Sequence, residues 1–252
     1  MRIPRRLRHG EEASLVEHLD ELRTRLIISL LAVGIGFVVA FVFHGHLIDW
    51  LRDPLPDDRR LVTLGVTEPF TTSIKVSFYA ALALAFPVLL WQTWSFLAPA
   101  LDERTQRVVA SFVAIATGLF AAGLAFGYFV VLPSAISFLT NYDKEHYDVQ
   151  VRASYYFSFA ALTLLAIAIA FELPIFVLAL VRLGVLTTAQ LRRNRRISYV
   201  VLVAIAVLLP TIDPVSLLFE AVPLLILFEL SIWLSVMMER RWQRSSEALA
   251  AG

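Results

Sequence analysis

Long apolar runs alternate with short charged stretches along the chain. A helix needs about 20 mostly apolar residues to cross roughly 30 Å of hydrocarbon. Six runs approach that length, at 26–43, 74–91, 108–132, 155–181, 197–210 and 215–237. The fifth is the shortest; even the whole stretch between Arg196 and Asp213 reaches only roughly 24 Å at about 1.5 Å per residue, which predicts local thinning of the bilayer. The sixth carries Glu220, Pro223 and Glu229. Ahead of the first run, residues 14–25 put Leu15, Leu19, Leu22 and Leu26 on one stripe, the pattern of an amphipathic helix in the membrane interface that leads into the first span. The arginines Arg2, Arg5, Arg6 and Arg8 invite a signal-peptide reading. No small-residue cleavage site follows and further spans do, so a retained helix is predicted. Asp53-Pro54 and Asp57-Asp58-Arg59-Arg60 close the first run and form the first outer loop, while residues 239–252 read as a mobile cytoplasmic tail. No internal repeat is visible, which weighs against an inverted-repeat transporter.

Composition sharpens this picture. The 252 residues are 58% hydrophobic and 17% charged, with a mean hydropathy of +0.72, too apolar for an ordinary soluble domain. A net charge of +1 provides no global field to recruit nucleic acid, so the placement of the charges matters more than their sum. Arginines crowd the segments before the first run, after the second (Arg104, Arg107), after the fourth (Arg182, Arg192, Arg193, Arg195, Arg196) and after the sixth (Arg240, Arg241, Arg244). Positively charged short loops stay in the cytoplasm, so both termini are expected there, in agreement with an even number of spans. The chain has no cysteine, which excludes disulfides, thiolate metal sites and cysteine nucleophiles. Its five histidines form no metal-ligand spacing, and neither a GxSxG serine with a base nor a glycine-rich phosphate loop appears. No metal, cofactor or catalytic centre is expected.

The candidate chemistry is carried by acids. Glu17 and Glu21 lie in the interfacial segment with Arg23 and Arg25. The two arginines alone would make a positively charged stop before the membrane. The glutamates exceed that need and form an acidic patch, where a guanidinium could dock through paired hydrogen bonds. A second element facing the cytoplasm runs from Trp91 through Phe96 to Asp102 and Glu103. Its aromatics fit interface anchoring, and its acids add to that. Glu172 stands near the middle of the fourth run, within Phe171-Glu172-Leu173-Pro174. An ionisable group there costs several kcal/mol unless it is protonated, paired or wetted, and Pro174 is expected to kink the helix and open a concave face beside it. The competing reading is a glutamic acid that hydrogen-bonds a neighbouring helix and serves packing alone. Glu220 and Glu229 pose the same question nearer the ends of their spans.

Several motifs together resemble one family. His18-Leu19-Asp20-Glu21-Leu22-Arg23-Thr24-Arg25 is similar to the signature that opens TatC proteins, the core subunits of the twin-arginine protein translocase. Glu68-Pro69-Phe70, the stretch from Gln92 to Leu101, the run from Gly127 to Pro133, Phe171-Glu172-Leu173-Pro174, Leu191 to Tyr199, Asp213-Pro214-Val215-Ser216 and Phe228-Glu229 resemble further TatC segments in the same order. The resemblance implies an all-α membrane protein whose six transmembrane helices form a concave, glove-like bundle with short fifth and sixth helices. It implies no enzymatic activity. It also implies that Glu21, with Glu17 and an acid of the first cytoplasmic loop, binds the twin arginines of a folded cargo's signal peptide near Phe96. Glu172 with Pro174, and Glu229, would then contact the peptide's apolar part or a partner helix. Pro54 aligns with an outer-loop position that matters in the family, and Asp213 and Ser216 align with a docking site for partners. The partners implied are single-span TatA/TatB-like proteins, signal peptides, membrane lipid and further copies of the chain. Export would draw on the proton-motive force.

The chain departs from the family pattern twice. Thr105 stands where a loop glutamate is usual, with Asp102 and Glu103 just upstream, and Leu217 replaces a glutamine that contacts the single-span subunits. A divergent paralogue with altered cargo therefore remains open, as does a proton-coupled small-solute transporter in which Glu172 titrates.

Overall fold

The computed structural model describes residues 15–56, 59–97, 109–147, 149–182, 184–208 and 214–250. Helix α1 spans Leu15–Val42 without interruption, so the interfacial segment and the first apolar run are one helix. A short helix, α2 (His44–Arg52), follows where the sequence reads only as an outer loop. Strand β1 is Leu61–Val62, and α3 runs Glu68–Leu97 with Pro87 inside it. Helix α4 is Val109–Phe126. It passes through a π turn at Gly127–Val131 into α5, Leu132–Asn141. Strand β2 is Val151–Arg152, α6 is Ala153–Ala170 and α7 is Leu173–Arg182. The chain then forms α8 (Thr188–Arg193), α9 (Arg195–Leu208) and α10 (Pro214–Ala250).

Five helical stretches among the described residues are long and apolar enough to cross a membrane: Leu19–Val42, Glu68–Phe96, Ser111–Asn141, Ala153–Arg182 and Pro214–Glu239. With these the chain is a multi-pass membrane protein. Helix α9, with 14 residues, falls below that length. The sixth helix is not short as expected: α10 has 37 residues, and its backbone stays helical through the segment read as a mobile tail. After Val236 the chain holds helix formers and neither proline nor glycine before Gly252, so nothing terminates the helix. The third helical stretch likewise passes the expected end at 132. The π turn lets Leu132 N–H reach Gly127 O, and the Ser134 hydroxyl donates to Val130 O at 2.7 Å, so the helix absorbs Pro133.

The contacts divide the chain into two compact units, Met1–Gly118 with Tyr147–Leu165, and Leu119–His146 with Ala166–Gly252. In the first, α1 packs along α3. Gly36 permits this, because a Cβ there would stand 3.0 Å from Ala81 O. The other face of α1 carries exposed Leu30, Leu31, Ile35 and Val38, the surface a lipid-facing helix presents. In the second unit α10 is the hub, packed against α5, α7, α8 and α9. Its core joins Val177, Leu191, Leu202, Phe228 and Ile232.

In the first unit, β1 and β2 pair in parallel, Leu61 with Val151 and Val62 with Arg152. Glu68, at the head of α3, holds this clasp. One carboxylate oxygen accepts from Arg152 Nε at 2.9 Å and Ser154 N at 3.2 Å, and the other from Leu64 N at 2.9 Å and Gly65 N at 3.3 Å. The hydrogen bond from Arg152 to Glu68 also raises the arginine's pKa above its ordinary value. Tyr156 Oη donates to Leu51 O at 2.8 Å, and an Arg59 guanidinium nitrogen donates to Val149 O at 3.0 Å.

Candidate functional site

The N-terminal part of α1 places Glu21 and Arg25 one turn apart. Arg25 Nε donates to Glu21 Oε1 at 3.0 Å, and a terminal guanidinium nitrogen donates to the same oxygen. The guanidinium also reaches α3, donating to Gln92 Oε1 at 3.4 Å and to the Ser95 carbonyl at 3.0 Å. Glu21 is therefore not a loose acid in a patch. It is held against the end of α3 through Arg25, and its Oε2 makes no hydrogen bond among the described residues. Phe96, half-buried, follows Ser95 at that end of α3, and Trp94 is buried against Phe112 at 5.6 Å between ring centroids. Leu19, Leu22 and Leu26 stand exposed, so the apolar stripe is open to lipid or to a ligand. The arrangement offers one carboxylate oxygen, neighbouring aromatics and an apolar strip, which suits a guanidinium followed by an apolar chain. The side chain of Glu17, and all of Asp102, Glu103 and Thr105, lie outside the described residues.

A second polar group lies in the other unit. Glu172 sits at a break between α6 and α7, where Glu172 N–H bonds Ile169 O at 3.0 Å in a tightened turn and Pro174 starts the next helix, buried. The expected interruption is present. Both carboxylate oxygens are shielded from solvent and make no hydrogen bond with the described residues. Next to it, Phe171 packs on Phe126, with ring centroids 5.5 Å apart. Both rings line a small recess with Ile167, Ala170, Glu220, Pro223 and Leu224. The buried Glu220 borders this recess, while Glu172 and Pro174 are not among its lining residues.

Glu229 does not join Glu172. It accepts from the Tyr199 hydroxyl and pairs with Arg195 at 3.1 Å, tying α9 to α10. Ser216 is fully buried in the first turn of α10, and Asp213 lies outside the described residues. Leu217 packs against the cluster of Ala206, Ala221 and Leu224. Pro54 is half-buried in the turn after α2, between buried Leu51 and Leu55. Sequence reasoning missed the clasp at Glu68. A glutamate just before a proline at the head of an apolar run hints at a helix start, but its partner Arg152 is 84 residues away and carries no mark of the pairing.

The fold and the site define a multi-pass helical membrane protein with an acid-bearing first helix and a carboxyl group at a broken span. The profile of the family described as "Sec-independent protein translocase protein (TatC)" matches residues 17–223, and the chain belongs to that family. It is a subunit of the twin-arginine translocase. It is 36% identical over 241 residues to the Sec-independent protein translocase protein TatCd of Bacillus subtilis (strain 168), covering 96% of this chain and 99% of that protein. The TatC of Deinococcus radiodurans is 36% identical over 231 residues, 88% of this chain and 86% of its own length. A crystal structure described as the twin-arginine translocase receptor TatC in DDM superposes with a TM-score of 0.78 at 35% identity, covering 86% of this chain and 99% of that one. The comparisons lend no support to a proton-coupled solute transporter or to a divergent paralogue with altered cargo.

Proposed function

We propose that this subunit is the receptor for twin-arginine signal peptides, acting without a catalytic centre. One peptide guanidinium binds Glu21, and the acids of the loop after α3, Asp102 and Glu103, take the second. The observation that carries this reading is the fixed Glu21 carboxylate, held by Arg25 at the end of α3, with one oxygen that makes no hydrogen bond among the described residues. The peptide's apolar part lies along exposed apolar side chains such as Leu19, Leu22 and Leu26. Glu172, in its broken span, meets either that peptide or a TatA/TatB-like single-span partner, and Asp213 with Ser216 marks a second docking place for such partners. The chain spans the cytoplasmic membrane six times, with α9 as the short fifth span and both termini in the cytoplasm. The arginine-rich segments between the second and third spans and between the fourth and fifth support this orientation. The complex holds several copies of the chain and is driven by the proton-motive force.

Site-specific photocrosslinking tests the receptor reading. A photoreactive residue at position 21, 103 or 105 is expected to crosslink a twin-arginine signal peptide and to lose most of that signal with the lysine-lysine version. Lysine offers a point charge in place of a planar fork. Equal crosslinking of both peptides at all three positions would overturn the reading.

A further inference from the structure

Helix α8 is fixed by a capping box, in which Thr187 accepts from Gln190 N at 3.2 Å and Gln190 Oε1 accepts from Thr187 N at 2.9 Å. It is also fixed by Leu191, which is buried in the core of the second unit. With that register set, Arg192 and Arg193 point away from the core, and Asn194 turns the chain directly into α9 at Arg195 and Arg196. All four arginines are exposed. Arg195 has a carboxylate partner, Glu229, whereas Arg192, Arg193 and Arg196 make no ion pair among the described residues, and no acid occupies the first turn of α9. From the same point α9 buries Leu202 and Ala206 and exposes Ile197, Val200, Val201, Ile205 and Val207. Three exposed arginines without an ion pair among the described residues thus stand at the head of an apolar face one helix long.

We propose that this corner is a binding site for an anionic phospholipid, with the phosphodiester held by Arg192, Arg193 and Arg196 and an acyl chain lying along the exposed face of α9. The inference rests on membrane insertion and is independent of the signal-peptide reading. Arginine forks match phosphate oxygens in pairs, and basic clusters beside membrane helices attract anionic headgroups. A free phosphate would satisfy the guanidinium groups but leave the apolar face unused. An anionic lipid satisfies both. The face is long enough for it, because 14 residues give a helix of about 21 Å, more than the roughly 15 Å of one leaflet's hydrocarbon.

The test is native mass spectrometry of the full-length chain in detergent, titrated with phosphatidylglycerol or with phosphatidylcholine of the same acyl chains. The native chain is expected to retain phosphatidylglycerol preferentially. The Arg192→Gln/Arg193→Gln/Arg196→Gln variant should bind it about tenfold more weakly, with phosphatidylcholine retention unchanged. Arg60→Gln/Lys144→Gln removes two exposed charges elsewhere and should leave binding as it was. The corresponding triple lysine variant, which keeps the charge, should stay within a few-fold of the native chain and guards against a simple folding loss. Undiminished phosphatidylglycerol binding in the triple glutamine variant overturns the proposal and leaves the arginines as a face for an acidic protein segment. Displacement of the lipid by excess inorganic phosphate, with phosphate binding equally well alone, overturns it in favour of a free-anion site.

Discussion

Gly123 shows how much a single position can constrain. A Cβ there would stand 2.7 Å from Ala168 Cα and 2.9 Å from Phe171 Cβ, while a Cβ at Gly34 or Gly118 meets nothing within 4 Å. Gly123→Ala is therefore expected to destabilise the protein by about 1–3 kcal/mol through overpacking. Gly34→Ala and Gly118→Ala should instead stabilise it by about 0.5–1 kcal/mol, the usual gain in a helix interior. Thermal unfolding in detergent would separate the two kinds of glycine, and a neutral Gly123→Ala would show that the helices can part. The Glu68 clasp gives a second residue-scale expectation. Glu68→Gln keeps the shape but removes the charge that Arg152 and three backbone N–H groups face, so protease should cut the 59–67 segment faster, with Arg152→Gln giving the same pattern. Unchanged cutting in both would mean that the β1–β2 pairing holds the clasp without the ion pair. Neither position could be weighed from the sequence: a glycine in an apolar run reads the same whether or not a partner backbone lies against it, and nothing near Glu68 points to Arg152.

Among the elements, those defined by length were legible and those defined by contact were not. Runs of apolar residues set the helices, and Pro174 in the Phe171-Glu172-Leu173-Pro174 stretch gave away the break between α6 and α7. Helix α2 and the two-residue strands are held by partners far along the chain, so no local period reveals them. Pro133 misled for a different reason: a proline ordinarily ends a helix, but a π turn and the Ser134 hydroxyl absorb it here. The reach of α9, about 21 Å against roughly 30 Å of hydrocarbon, carries its own expectation. Reconstituted in short-chain lipid the protein should unfold at a higher temperature than in long-chain lipid, and inserting a turn of leucines after Ala204 should flatten that dependence. A stability indifferent to chain length would show that α9 does not face the bilayer.

For the molecule as a whole, the distribution of arginine rather than any single motif predicts the orientation. A reporter that fluoresces only in the cytoplasm should be bright when fused after Gly252 or inserted at Gly184, and dark when inserted after Lys144. A dark C-terminal fusion would overturn the six-span count. The acids of the first helix stood out in the sequence, since Glu17 and Glu21 exceeded what a membrane stop needs. Its internal pairing was not, because Arg25 had an equally good reading as part of that stop. The pairing changes what recognition means at this site. A guanidinium arriving at Glu21 meets a carboxylate already engaged by the chain's own guanidinium, so it must share the group or exchange with Arg25, and it gains only the difference between the two bonds. Such a site behaves as a balance already loaded on one side. On the receptor reading proposed above, it ignores a lone cation and tips for two forks delivered together.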